Sequence, residues 1–433
     1  MKITKYNCIF EREPLIAPFG FKGGYVTDIW LNATAFESEK GNRGLSNCVQ
    51  SPLWSDSSVF LNNIQTASQA MMFLVSSFAS KAALEYSWET PFELLDYLLP
   101  ITYEYAKKVT CNDKLRLTFA LNALVAIDNA AWMLYCKENG INSFEQMVPN
   151  KFKESLACKH DKIACIPLIT YGISIDEVIK TVDEGFFFLK IKIGADPDKD
   201  GDQDKMLEWD KNRLTEIHNA IKDRTTPYTE SGVIPYYLDA NGRYDSKERL
   251  KELLNHADKI GALERILIIE EPFDEEYKVD VSDLPVRIAA DESAHSDTDV
   301  IERMNLGYGA IALKPIAKTM SMSLKIAKIA HDNEIPCFCA DLTVPPILID
   351  WNKNVAARLA PLPGMKVGVL ESNGHQNYLN WEKLQKQHPC YGASWTKLRN
   401  GMFYTNDDFY QQNGGILQPS EHYKALLYKE LRT

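Results

Sequence analysis

The chain of 433 residues has no run of about 18 apolar residues, the length a membrane-spanning helix needs. Its charge-free stretch from Ser57 to Ser80 is interrupted by Asn62, Asn63, Gln65, Ser68 and Gln69, which reads as a soluble helix. The first residues, MKITKYNCIFEREPL, carry no apolar core of the kind a secretory signal needs. There is no CxxC pair among the nine cysteines, only the CxC of Cys337 and Cys339, so the set reads as reduced, buried and inert thiols of a cytoplasmic protein. The eight histidines show no metal-like spacing, and His295 reads as a surface residue. Positive charge is in deficit: 48 Lys and Arg against 59 Asp and Glu give a net charge of -11, which argues against nucleic acid or an anionic membrane as partner. With 45% hydrophobic and 25% charged residues, the composition excludes a disordered chain, a collagen-like repeat and a coiled coil.

What is present divides in two. Up to about residue 160 the pattern predicts an α+β unit: a strand over 25–36, a turn at Glu39-Lys40-Gly41-Asn42, and helices near 61–83, 92–108 and 115–138. From about 164, short apolar runs alternate with amphipathic segments. The runs are 166–169, 186–193, 234–239, 265–270, 287–291, 310–314, 335–340 and 366–370. The helical candidates between them include Ile175–Glu184, Lys205–Lys222, Ser246–Ile260, Asp297–Asn305, Met322–Asn333 and Ile347–Leu359. Apolar strands alternating with helices indicate a parallel sheet covered on both faces, and this number of units fits a (β/α)8 barrel over 161–374. The tail, 375–433, leaves the pattern and is expected to fold back on a capping domain made by residues 1–160.

Chemistry gathers where the runs end. Run three ends in Asp239, run four in Glu270 and Glu271, run five in Asp291 and Glu292. In a barrel these ends surround one mouth. Converging carboxylates repel each other unless a cation neutralises them, and hard oxygen ligands suit Mg²⁺, with Mn²⁺ as a substitute. Run two carries Lys190 and Lys192, which period two places on one side, and run six ends in Lys314. Runs two and six face each other in a ring of eight. Crowded cations and burial are expected to lower a lysine's affinity for its proton, as a base near neutral pH requires.

The ordered set KxK, DxN, EEP, DES and LKP resembles the enolase superfamily, in particular its muconate lactonizing enzyme-like subgroup within the mandelate racemase/muconate lactonizing enzyme family. The resemblance implies a capping domain, a modified barrel and a tail returning to the cap. It implies that Asp239, Glu270 and Asp291 hold the metal, that Lys192 and Lys314 are the acid/base pair, and that Lys190 lies near the substrate carboxylate. It also implies a homo-oligomer. Asn241 occupies the DxN position as local support; Asp341 and Glu371, ending runs seven and eight, are candidate substrate contacts. Glu271 and Glu292 are expected to point away. The run CFCADL ends in Asp341 rather than the histidine of the mandelate racemase subgroup, which favours a lysine pair. The sequence departs from the subgroup at Lys318-Thr319-Met320-Ser321, where Gly-Gly is common, at Ala131-Trp132-Met133, and in the length of 195–232 and of the tail.

The function so implied is removal of the proton α to a carboxylate through an ene-diolate. Two opposed bases suit a racemase or epimerase of an amino-acid derivative or dipeptide; cycloisomerisation needs only one. Dehydration of a hydroxy or sugar acid is the rival enzyme, and a catalytically silent binding protein the rival outside enzymes. Residues 196–207 imitate a calcium loop with Asp196, Asp198, Asp200 and Gly201, but Leu207 stands where the loop needs Glu, so the segment reads as a solvated acidic insertion. Pro18–Gly24 and Leu45–Asp56 are candidate lids.

Overall fold

Three antiparallel strands open the chain: β1 (Ile3–Phe21), β2 (Gly24–Ser38) and β3 (Arg43–Gln50), in the order β1-β2-β3. The computed structural model describes residues 1–433. β1 and β2 meet at a two-residue turn, Lys22-Gly23, both left-handed with φ 47 and 78, the form that suits the twist of a tight hairpin. The candidate lid Pro18–Gly24 is therefore the tip of a long hairpin. Two helices, Gln65–Ala82 and Leu117–Glu138, cover this sheet, and a third, Pro91–Thr110, packs against both of them. The helix Leu117–Glu138 is apolar enough to cross a membrane by length and composition, but 94% of its most apolar window is buried inside the protein, which makes it a core helix. It lies so close to β3 that a Cβ on Gly44 would stand 2.2 Å from the Ala130 carbonyl oxygen.

The rest is a (β/α)8 barrel. Its first strand is bent at Pro167 into β4 (Lys162–Ile166) and β5 (Leu168–Ile169). The others are β6 (Leu189–Lys192), β7 (Tyr236–Asp239), β8 (Ile266–Glu270), β9 (Ile288–Ala290), β10 (Ala310–Leu313), β11 (Cys337–Cys339) and β12 (Gly368–Glu371). All pair in parallel with their neighbours. The ring closes because the bent strand serves both ends: β5 pairs with β6, and β4 pairs with β12. Each of the eight apolar runs supplies one strand. The six predicted barrel helices form at Ile175–Asp183, Gln203–Ile221, Lys247–Lys259, Asp297–Asn305, Met320–Asp332 and Pro346–Ala356.

The tail does more than return to the cap. β13 (Met402–Tyr404) runs antiparallel along β4 and so extends the barrel sheet, while further on Asn7 Nδ2 donates to the Leu427 carbonyl and Asn47 Nδ2 to the Tyr423 hydroxyl in the cap. The cysteines also depart from expectation. All nine are free, but Cys111 is exposed and Cys8, Cys158 and Cys390 are half-buried.

Candidate active site

The strand ends bring the predicted residues to one cavity. Lys190, Lys192, Asp239, Asn241, Glu270, Lys314, Asp341 and Glu371 line an inner space of about 60 Å³ at the mouth of the barrel, and Asp291 touches it through Lys314. Lys190 and Lys192 point to the same side of β6, as period two requires. Lys190 Nζ lies 3.0 Å from Asp239 Oδ2, 3.0 Å from Glu270 Oε1 and 3.1 Å from Glu371 Oε2. Lys192 Nζ lies 2.6 Å from Asp239 Oδ2 and also donates to Asn241 Oδ1. Four places round the ring, Lys314 Nζ lies 2.5 Å from Asp291 Oδ2. Tyr237, two residues before Asp239 and on the same inward side, donates its hydroxyl to Glu270.

Burial and charge oppose each other here. Burial pushes the Glu270 carboxyl up to about 7 against the pull of Lys190, and Glu271, buried beside Glu292, up to about 8. Burial acts the same way on Asp239, but Lys190 and Lys192 outweigh it and hold it below its ordinary value. The lysines do not behave as the sequence suggested. Burial favours their neutral form, yet Asp239, Glu270 and Glu371 raise Lys190 well above its ordinary value, and Asp291 raises Lys314. The reason is proximity: carboxylate oxygens, not the other ammonium groups, are their nearest neighbours.

Glu271 and Glu292 part company. Glu271 turns back and accepts from the Asp291 amide at 2.7 Å and the Ser293 hydroxyl at 3.1 Å, fixing the loop that carries Asp291. Glu292 does not point away. Its Oε1 accepts from Asn241 Nδ2 at 2.9 Å and meets Lys22 Nζ at 3.0 Å, and its carboxylate gathers with those of Glu270 and Asp291 within 4.8 Å. Strand alternation no longer applies, because β9 ends at Ala290.

The donor set fits a hard divalent cation. Glu292 Oε2 is buried without a hydrogen-bond donor, an arrangement that costs free energy unless a positive charge serves it, and Asp291 Oδ1 beside it accepts no hydrogen bond and meets only the Lys318 ammonium. Lys318, fully buried, approaches Asp291 Oδ1 at 3.3 Å and donates to the Asp291 carbonyl, a role the sequence did not reveal.

The cap closes over this mouth. Phe19, Phe21, Ser51 and Trp54, all from the two candidate lid segments, line the inner cavity. Trp54 Nε1 donates to Asp291 Oδ2 at 3.4 Å, and its ring lies 4.6 Å from Lys314 Nζ. His295 is not a surface residue: its Nε2 lies 2.8 Å from Glu275, which also meets Arg116 of the cap at 3.0 Å. The two end residues are tied to each other. Glu371 Oε2 accepts from the Asp341 amide at 3.0 Å, and Asp341 Oδ2 from the Asn373 amide at 2.8 Å. In the acidic insertion, Lys205 binds Asp198 and Asp200 at 2.8 and 2.7 Å, and Asp202 caps the helix Gln203–Ile221, so the carboxylates serve the loop's own fold.

Comparison with known proteins agrees with this architecture. Residues 174–370 match the family model described as enolase C-terminal domain-like. A mandelate racemase/muconate lactonizing protein from Herpetosiphon aurantiacus superposes with a TM-score of 0.67 at 17% identity, covering 94% of this chain and 96% of its own. A dipeptide epimerase from Enterococcus faecalis V583, solved with Mg and the dipeptide L-Leu-L-Tyr, gives 0.60 at 18% identity over 86% and 90%. One from Cytophaga hutchinsonii, solved with Mg and D-Ala-L-Val, gives 0.62 at 15% identity over 88% and 89%. No curated protein matches the chain by sequence. The resemblance to the enolase superfamily thus stands on the family model and on the fold.

Proposed function

We propose that this enolase superfamily barrel is a Mg²⁺-dependent enzyme that moves the proton α to a carboxylate, acting as a racemase or epimerase of an amino-acid derivative. The observation that carries this reading is the placement of Lys192 and Lys314. They come from opposite sides of the ring, and each ends on a carboxylate, Asp239 or Asp291, that flanks Glu270.

Asp239, Glu270 and Asp291, with Glu292 beside them, would hold the cation. When bound it supplies charge that draws the substrate carboxylate and stabilises the electrons released at the α-carbon. Lys190 adds a fixed positive charge at the same place. Lys192 and Lys314 stand on opposite sides of these carboxylates, each with its Nζ placed to hold or accept a proton. One lysine takes the α-proton onto Nζ, and the other delivers its own proton to the opposite face. The centre inverts, and the two exchange protonation states. Phe19, Phe21 and Trp54 keep water from the exposed carbanion.

Dehydration of a hydroxy acid remains the second reading, because Asp341 lines the cavity and burial raises its carboxyl to about 7, so it can protonate a departing hydroxyl. Proton NMR in D2O with Mg²⁺ and a pool of dipeptides, N-acyl amino acids and hydroxy acids tests both. The expected result is loss of an α-proton signal, with neither Lys192→Ala nor Lys314→Ala interconverting the two configurations. New vinylic or keto-acid signals would assign a lyase. Exchange of no compound, together with Mg²⁺ affinity unaltered by Asp239→Asn, would overturn the proposal.

A further inference from the structure

A cavity of about 380 Å³ lies apart from the barrel mouth, between the helix Pro346–Ala356, the segment that follows β12 and the tail. No residue lines both it and the inner cavity. The tail, whose length sets this sequence apart, builds much of its wall: Trp381, Lys397 and Phe403 come from there. A space of this size with apolar and aromatic walls and a few polar groups has the character of a small-molecule site.

The chain divides at the end of β12. Glu371 and Asn373 line the inner cavity, and Ser372 between them lines this one. Ser372 is 1% exposed, and its Oγ has no hydrogen-bond partner. Three residues on, His375 lines the same space, and its Nδ1 is buried and likewise unpartnered. Polar groups of this kind cost free energy while nothing serves them. Burial pushes the His375 imidazole from 6.5 down to about 4, so the ring is neutral at physiological pH. Trp381 supplies an aromatic wall, its ring centroid 6.3 Å from that of His375. Gly374 makes room for it: a Cβ there would stand 2.8 Å from the Trp381 ring and 2.3 Å from the Val344 carbonyl oxygen.

The charges on the wall are already matched. Lys353 Nζ lies 2.5 Å from Asp350 Oδ1, donates to the Trp395 carbonyl at 2.9 Å and rests 4.3 Å from the Phe403 ring centroid. Asp350 Oδ2 meets His388 Nε2 at 2.8 Å. The remaining cation, Lys397, is exposed to solvent. A charged ligand would leave water for a place with no spare counter-charge inside, which is costly. A neutral ligand finds two open partners: a hydroxyl that both donates and accepts, and a neutral imidazole nitrogen. A carboxamide, with its donor and acceptor side by side, serves such a pair, and a flat ring attached to it packs against Trp381 and Phe403.

We infer that this cavity is a second ligand site, separate from the reaction, and that it takes a neutral planar aromatic amide, held at its polar edge by Ser372 and His375 and on its ring by Trp381 and Phe403.

Calorimetry with two probes of one shape tests this. Indole-3-carboxamide carries the amide; 3-acetylindole has a methyl group in place of the amide nitrogen, so it keeps the acceptor and loses the donor. The carboxamide is expected to bind one to one and at least about tenfold more tightly than the ketone, the worth of about one buried hydrogen bond. Mg²⁺ should change neither affinity. Ser372→Ala and His375→Phe should each weaken the carboxamide, and the two together should erase the preference. Trp381→Ala should weaken both probes, and Trp381→Phe, which keeps a flat ring, should restore them. Equal affinity for the two probes, binding of neither, or a preference that survives the double substitution would overturn the inference. So would loss of binding in Trp54→Ala, because Trp54 lines the inner cavity and not this one.

Discussion

Lys22 Nζ, at the turn of the cap hairpin, lies 3.0 Å from Glu292 Oε1 in the loop after β9, and also donates to the Trp54 carbonyl at 3.0 Å. Both side chains of the ion pair are nearly inaccessible, so solvent screens the contact little. It pins the hairpin tip to the loop that carries Asp291 and fastens the lid.

Lys22→Met should therefore loosen the lid while leaving the barrel folded. Amide exchange in residues 18–25 should accelerate by about tenfold or more, since local opening draws on few other buried contacts. KM should rise more than kcat falls. Unchanged exchange in the hairpin would show that other contacts hold it.

Mg²⁺ should raise the melting temperature of the wild type, because a ligand bound only by the folded form stabilises it by mass action. Glu270→Gln and Asp291→Asn should remove most of that rise. Lys318→Met should weaken Mg²⁺ by about tenfold although it touches only one carboxylate, since residues that orient metal ligands typically contribute that much. Calorimetric titration of each variant reads these effects directly.

Two of the sequence's departures from its resembled subgroup meet in space. Ser321 donates its hydroxyl to Asp128 at 2.6 Å and its amide to the same carboxylate at 3.0 Å, while Trp132 Nε1 donates to the Ser321 hydroxyl at 3.0 Å. This ties the core helix of the cap to the helix that follows Lys314. Ser321→Ala should cost about 2 kcal/mol, because it leaves a buried carboxylate oxygen and an indole N–H without partners. Urea denaturation checks the figure; a loss near zero would show that the tie contributes nothing.

The barrel was legible because continuous apolar strands read differently from half-exposed ones, and the carboxylates, Lys192 and Lys314 stand where such strands stop. β1 was not. Its charged residues Lys5, Glu11, Arg12 and Glu13 and its two prolines obscure the pattern, and it tolerates them as an edge strand with a register shift between Pro14 and Phe19. Glu292 was misread because alternation was carried two residues past the end of β9. The proton affinities of Lys190 and Lys314 were misread because sequence order shows which charges are present, not which lie nearest. Lys318 and Lys22 act through contacts distant in the chain, which no local pattern records.

Asp210 offers a pH test away from the metal ligands. It is buried and accepts from the Gly194 amide at 2.8 and 2.9 Å and from the Tyr244 hydroxyl at 2.8 Å. Burial pushes its carboxyl from 3.8 up to about 7. A raised acid binds its proton more tightly in the folded state, so its contribution to stability is fully present below pH 3.8 and is lost as the pH rises toward about 7. Asp210→Asn has no such proton. The stability advantage of wild type over this variant should shrink across that window and then level off. A constant gap between the two denaturation curves would refute the assignment.

The central claim is that Lys192 and Lys314 serve opposite faces of one carbon. The most direct measurement is α-deuterium incorporation into each separate enantiomer of an accepted substrate by Lys192→Ala and by Lys314→Ala, with Mg²⁺ present. Each variant should still exchange one configuration, the two variants retaining opposite ones, and neither should interconvert them. If both variants exchange the same configuration, or either one still racemises, the two-base account is wrong.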